Sequence, residues 1–122
     1  MLSILKEMRK MEELDILYLF GFSEVVGNQM KKLLPLITTQ VRKNDRVGVA
    51  LVHDGVIGYN KKGKIPLANQ ELLNLGISIF ALTPDLKARG ISLEGINEKV
   101  KLIKYGELVD LLENSKKIIS WT

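Results

Sequence analysis

The sequence predicts an α/β fold, a single three-layer domain with a mostly parallel sheet of about four or five strands and helices on both faces. From Leu14 onward, short apolar runs alternate with longer segments of helical period, which is typical of this class. One run, residues 47–52, is uninterrupted and rich in valine, as in strands that are buried on both faces. The 122 residues are 46% hydrophobic and 26% charged, which favours one globular domain, assigned here to residues 14–122.

The first half of this domain predicts two strands separated by a helix. The strands cover residues 15–20 and 47–52. Ser23 is the expected cap of the helix. Its inward face comprises Val26, Met30, Leu33, Leu34 and Ile37. Pro35 lies inside this helix, so we expect a kink or a break near Leu34.

Two short helices and a third strand are predicted next. Pro66 can open a helix that continues through Leu75 and ends at Gly76. The third strand then covers residues 77–82. Thr83 as the cap and Pro84 at the first helical position predict a short helix, which Gly90 ends.

The last part of the chain predicts a fourth strand and a further helix. The strand covers residues 100–103. A helix over residues 105–112 follows, with Leu108, Leu111 and Leu112 facing inward. Residues 118–121 are apolar enough either to add a terminal strand or to lie as an apolar tail.

Residues 1–13 are predicted to be an N-terminal helical extension. Leu2, Leu5 and Met8 recur at helical spacing, so the segment could dock as an amphipathic helix or lie outside the domain. Charged residues interrupt it, so it lacks the apolar centre of a signal peptide. Since no apolar stretch reaches the roughly 18–20 residues that cross a bilayer, we expect a cytoplasmic protein without a membrane partner.

The charge balance does not favour nucleic-acid binding. Eighteen basic and fourteen acidic residues give a net charge of +4, and the basic residues are scattered. A nucleic-acid binder more often shows a concentrated basic stripe with interleaved aromatic residues. The one short basic cluster, Lys61, Lys62 and Lys64, lies in a predicted polar loop and leaves RNA contact as a minor alternative.

Several catalytic chemistries are excluded by residues that the sequence lacks. It contains no cysteine, so it cannot form a disulfide, carry a persulfide or bind a metal through thiolates. His53 is the one histidine, which excludes a two-histidine metal centre within one chain. The segment of residues 21–27 matches neither a dinucleotide-binding nor a phosphate-binding loop. We therefore predict no catalytic residue, metal or cofactor.

The end of the second predicted strand is the candidate site. His53 and Asp54 lie there, at the edge where open α/β sheets place their sites, although a histidine held by a local hydrogen bond at the strand end is the favoured interpretation of His53. Asp54 with Gly55 is also a hairpin signal, but a strand-to-helix turn suits the predicted fold better. Asp85 and Arg89 could simply pair within one short helix.

Four stretches of the sequence resemble a known family. They are LVHDGV at residues 51–56, FALTPDLKARG at 80–90, LIKYGELV at 102–109 and the closing SW at 120–121. In this order they are similar to the DsrE/DsrF/DsrH superfamily, and most of all to its TusB/DsrH branch. The resemblance covers most of residues 47–121, and the DLKARG string is its most specific part.

The resemblance implies a small parallel α/β fold and a noncatalytic subunit of a sulfur-relay complex that passes persulfide sulfur between proteins. Such relays serve tRNA 2-thiouridine formation or intracellular sulfur oxidation. The implied partners are DsrE-like and DsrF-like subunits, one of which carries the cysteine, or further copies of this chain. The implied interface or site edge comprises His53, Asp54, Gly55, Asp85, Arg89 and Tyr105.

A second hypothesis comes from the residues alone. His53 and Asp54 at the carboxyl edge of the sheet could serve a small-ligand-binding or hydrolytic α/β homo-oligomer. In that case His53 would act as the acid or base.

Overall fold

Five parallel strands form one sheet in the computed structural model, which describes residues 13–122. The strands are β1 (Ile16–Phe20), β2 (Val47–Leu51), β3 (Ser78–Leu82), β4 (Val100–Ile103) and β5 (Lys117–Trp121). Their spatial order is β4-β3-β2-β1-β5, and every neighbouring pair is parallel. The predicted α/β fold is confirmed. The predicted N-terminal extension lies outside the described residues, except for Glu13.

Four α-helices connect the strands and cover both faces of the sheet. They are α1 (Gln29–Arg42), α2 (Leu67–Leu73), α3 (Thr83–Ala88) and α4 (Tyr105–Asn114). The first three pack on one face, because Met30, Leu72 and Leu86 join a single buried cluster. Leu111 of α4 belongs to a second cluster on the other face. Crossover connections between parallel strands are right-handed. The chain moves outward from β1 to β4 and then back past β1 to β5, so α1, α2 and α3 lie on one face and α4 lies on the other.

The core therefore has two layers of unequal size. The larger lies under α1, α2 and α3, where Tyr18, Val49 and Ile79 are buried on successive strands. The smaller lies under α4 and contains Leu17 and Phe80. None of the helices in residues 13–122 is long and apolar enough to cross a membrane.

The start of α1 differs from the prediction. The helix begins at Gln29, so Val26 lies before it and is 87% exposed rather than part of the inward face. Ser23 is not the cap, because its hydroxyl accepts a hydrogen bond from the Val25 N–H at 3.2 Å. Glu24 takes that role instead, since its two carboxylate oxygens accept the N–H groups of Met30 at 2.8 Å and Lys31 at 3.3 Å. A carboxylate is favourable there because the helix dipole places positive charge at the N-terminus.

The break expected at Pro35 is also wrong, since α1 is continuous from Gln29 to Arg42. Pro35 lies on the exposed side of the helix, where water can reach the carbonyl that loses its N–H partner. On the opposite side, the fully buried Leu33 and Ile37 hold the helix against the sheet. Packing therefore outweighs the local cost of the proline.

The later elements fall close to their predicted positions, with one correction. Thr83 is the first residue of α3 rather than its cap, and no side chain supplies a capping hydrogen bond. It is buried, because it continues directly from the buried end of β3. Of the two alternatives for the C-terminal residues, the terminal strand is confirmed, since β5 pairs with β1 over its whole length.

Candidate functional site

The carboxyl ends of β2 and β3 bring four of the predicted site residues together. A 3₁₀ turn, His53–Val56, follows β2 after one residue, and α3 follows β3 directly. Because β2 and β3 are parallel neighbours, both connections leave the same edge of the sheet. This places His53 and Asp54 beside Asp85 and Arg89, more than thirty residues later in the chain.

Asp85 holds the turn after β2 through the backbone of His53. The His53 N–H donates to Asp85 Oδ2 at 2.7 Å, a charge-assisted hydrogen bond. His53 has a φ of 51°, in the left-handed region that non-glycine residues seldom adopt. The carboxylate therefore stabilises a strained residue at the edge of the sheet.

Arg89 connects the turn to α3. Its Nε donates to Asp54 Oδ1 at 3.0 Å, and its Nη1 donates to the backbone oxygen of Asp85 at 3.1 Å. The ion pair expected within the helix is also present, although it is long, with Nη1 at 3.9 Å from Asp85 Oδ1. The Asp54 side chain is 61% exposed, so this pair orients the turn more than it stabilises the fold.

Gly55 allows the turn to pack against the end of β1. A Cβ at this position would overlap the backbone oxygen of Phe20 and approach its carbonyl carbon at 3.0 Å. The same Phe20 oxygen accepts the Val52 N–H at 2.9 Å. The preferred strand-to-helix turn is therefore confirmed over a hairpin.

The side chains of His53 and Asp54 differ in their partners. Asp54 is bound to Arg89, and within residues 13–122 no hydrogen bond joins it to the His53 ring, which lies on the exposed surface. Tyr105 is also exposed and begins α4 at the same edge, but no hydrogen bond in this part of the chain joins it to the other four residues. The described residues contain no cluster of three His, Cys, Asp or Glu side chains that could hold a metal ion.

An exposed apolar segment that was not predicted from the sequence adjoins the turn. The connection after β1 exposes Phe22, Val25 and Val26, and its start lies beside the turn, because Gly55 approaches Phe20 and Gly21 closely. The apolar pattern predicted Val26 on a buried helix face, whereas the signal for the later helix start is the acidic Glu24, six positions before Met30. We call the set formed by Phe22, Val25, Val26, His53, Asp54 and Arg89 the carboxyl-edge surface.

Two other features lie outside this surface. Lys61, Lys62 and Lys64 are exposed on the loop before α2, and the Lys61 N–H donates to the backbone oxygen of Gly95 at 2.8 Å. A shallow cavity of about 330 Å³ lies between the starts of α1 and α2. Its lining includes Glu24 and Glu71 but not His53, so it adds nothing to a histidine-based site.

A family model described as "DsrH like protein" matches residues 27–118. The chain belongs to the DsrH-like family. All six predicted site residues of this DsrH-like chain lie within the match, whereas Phe22, Val25 and Val26 precede it. The resemblance found in the sequence is thereby confirmed.

Individual relatives agree with the family. The chain is 38% identical to Protein TusB of Serratia proteamaculans over 72 residues, covering 58% of this chain and 70% of the relative. It is 36% identical to Protein TusB of Pectobacterium atrosepticum over 73 residues, covering 60% and 73%.

Solved structures support the fold. The ychN protein of E. coli superposes with a TM-score of 0.73 at 16% identity, covering 88% of this chain and 99% of that protein. MTH1491 of Methanobacterium thermoautotrophicum, a protein of unknown function, gives a TM-score of 0.57 at 16% identity, covering 84% and 96%. At this identity the likeness concerns the fold alone.

Proposed function

We propose that this DsrH-like chain is a noncatalytic subunit of a sulfur relay and docks onto a DsrE-like partner that carries the reactive cysteine. Membership of the DsrH-like family and the TusB relatives support a sulfur-relay role in general. The observation that carries the finer proposal is the absence of cysteine from the 122-residue sequence. Persulfide transfer needs a thiolate, so the sulfur must be carried by another protein.

The carboxyl-edge surface is the proposed docking site. It contains three exposed apolar side chains, Phe22, Val25 and Val26. It also contains Arg89, whose guanidinium group is held by the carboxylates of Asp54 and Asp85. Aromatic residues and arginine are enriched at protein interfaces, where a buried apolar centre is surrounded by polar groups. The proposed processes are tRNA 2-thiouridine formation or intracellular sulfur oxidation, with DsrE-like and DsrF-like subunits as partners.

Rigid support of this surface favours docking. Asp85 holds the His53 backbone, and Gly55 packs the turn against the end of β1. A surface that is already ordered loses less conformational entropy on binding. In this proposal the polar residues therefore position the interface and perform no chemistry.

The test uses the full chain and the cysteine-bearing DsrE-like protein of the same organism, co-expressed and purified. Size-exclusion chromatography with light scattering should show a complex of the two proteins. Val26→Asp should weaken the complex at least about tenfold, since it places a charge in the apolar part of the interface. The matched control is Leu36→Asp, which charges an exposed leucine on the outside of α1 and should leave the complex unchanged.

Absence of a complex with the wild-type chain would contradict the proposal, as would equal weakening by both variants. The noncatalytic role is tested separately, by loading the partner with radioactive persulfide sulfur and following the label. The label should stay on the partner or pass to an acceptor, and a labelled DsrH-like chain would contradict the proposal.

A further inference from the structure

The strand β5 has an uncovered outer edge in the described part of the chain. It is the last strand in the sheet order, pairs with β1 on one side, and has no strand of residues 13–122 on the other. Ile118 on this strand is 44% exposed. An open strand edge offers unpaired backbone groups that another chain can bind.

The hydrogen bonds to β1 show which residues of β5 point outward. The Lys117 N–H donates to the Asp15 oxygen at 3.1 Å, and the Trp121 oxygen accepts the Gly21 N–H at 3.0 Å. Residues 117, 119 and 121 therefore direct their backbone groups towards β1. Since these groups alternate along a strand, the N–H and C=O of Ile118 and Ser120 point away from the sheet.

The two edges of the sheet differ in charge. At the other edge, β4 has Lys101 within it and Lys99 and Lys104 beside it. Lysines at an edge strand are a common device against pairing with another chain. In β5 only the first residue, Lys117, is charged, and the four residues after it are not. At the β5 edge the lysines, Lys117 and the preceding Lys116, lie only at the start of the strand, so residues 118–121 lack this protection.

We propose that two copies of this chain pair through β5, antiparallel and related by a two-fold axis at Ile119, to form one ten-stranded sheet. In this register Ile118 of one copy faces Ser120 of the other, and each such pair exchanges two backbone hydrogen bonds. The two-fold axis generates this pair twice, once on each side of Ile119. The outward N–H and C=O groups of Ile118 and Ser120 in both copies therefore all form hydrogen bonds. The proposal does not depend on the sulfur-relay role.

The side chains in this register are compatible with a second copy of the same strand. Lys117 faces Trp121 of the other copy, where an ammonium group can lie against the indole ring. The Trp121 side chain is already oriented, because its Nε1 donates to Gln29 Oε1 at 3.1 Å. Ile119 faces itself across the axis, and no like charges are opposed. This self-complementarity favours a second copy over an unrelated strand.

The test is sedimentation equilibrium of the purified full chain at several concentrations. A single strand pair gives a small interface, so we expect a dimer that dissociates on dilution. Ser120→Pro removes an outward N–H without touching the bonds to β1, and should weaken the dimer about 30-fold or more. Ser120→Ala is the matched control, which keeps the N–H and should keep the dimer.

Hydrogen exchange identifies the occupant of the edge. The amides of Ile118 and Ser120 should be protected in the dimer and exchange rapidly after dilution. A chain that stays monomeric at every concentration overturns the proposal, as does a dimer that Ser120→Pro leaves intact. Protection of both amides in the monomer also overturns it, because the edge would then be covered within one chain. Ile118→Lys, at an exposed side chain, is a second variant that should weaken the dimer without unfolding the chain.

Discussion

Replacing Gly55 by alanine tests how the turn after β2 is held. The φ of Gly55 lies outside the left-handed region, so the cost is steric rather than conformational. The added Cβ would overlap the Phe20 carbonyl oxygen, which belongs to the backbone of a buried strand and cannot rotate away. Moving that carbonyl would also disturb its hydrogen bond from the Val52 N–H.

The expected loss of stability follows from these two effects. Overpacking at a tight site costs about 1–3 kcal/mol. Weakening of one hydrogen bond adds about 0.5–1.5 kcal/mol. We therefore expect Gly55→Ala to lower the free energy of unfolding by about 1.5–4.5 kcal/mol. A domain's stability is about 5–15 kcal/mol, which exceeds this loss, so the variant should still fold.

Urea unfolding, monitored by circular dichroism, measures this loss of stability. The two proteins can be compared as two-state systems if the slope of the unfolding free energy against urea concentration is the same for both. Gly106→Ala is the matched control, because Gly106 lies in α4 with open space where its Cβ would be. That variant should be more stable than wild type by about 0.5–1 kcal/mol. A Gly55→Ala variant within about 0.5 kcal/mol of wild type would refute the packing argument.

Four further predictions concern buried and charged groups. The Tyr59 hydroxyl is buried with no hydrogen-bond partner in the described chain, so Tyr59→Phe should keep or slightly raise stability in urea melts. Tyr18→Phe loses a 2.7 Å hydrogen bond and should cost about 1 kcal/mol. Asp85→Ala should cost about 1–3 kcal/mol and speed amide exchange at His53, whereas Asp85→Asn, which keeps an acceptor oxygen, should cost less. A backbone hydrogen bond holds the pKa of Asp15 below its ordinary value, so its ionised form stabilises the fold. In thermal melts, wild type should have a higher melting temperature than Asp15→Asn at pH values above the ordinary pKa of aspartate. This difference should disappear as the pH falls below about 4.

Local sequence patterns were sufficient to predict the positions of the strands and of most helices. The valine-rich run that becomes β2 and the proline that precedes α2 act within a few residues, so their signals are readable without the fold. The start of α1 was predicted wrongly because the capping group, Glu24, reaches across a loop of several residues. The break expected near Pro35 was wrong because burial of the opposite side of α1 holds the helix together.

The sequence by itself determined the α/β class, the family and the exclusion of thiol chemistry from this chain, because each depends on residue order or residue type alone. Only the tertiary structure decided that Arg89 reaches Asp54, 35 residues earlier, and that Asp85 holds His53, 32 residues earlier. Such contacts exist because β2 and β3 are parallel neighbours whose carboxyl ends meet at one edge of the sheet. The strand order that makes them neighbours, and that leaves β5 at the edge, depends on the packing of the whole chain.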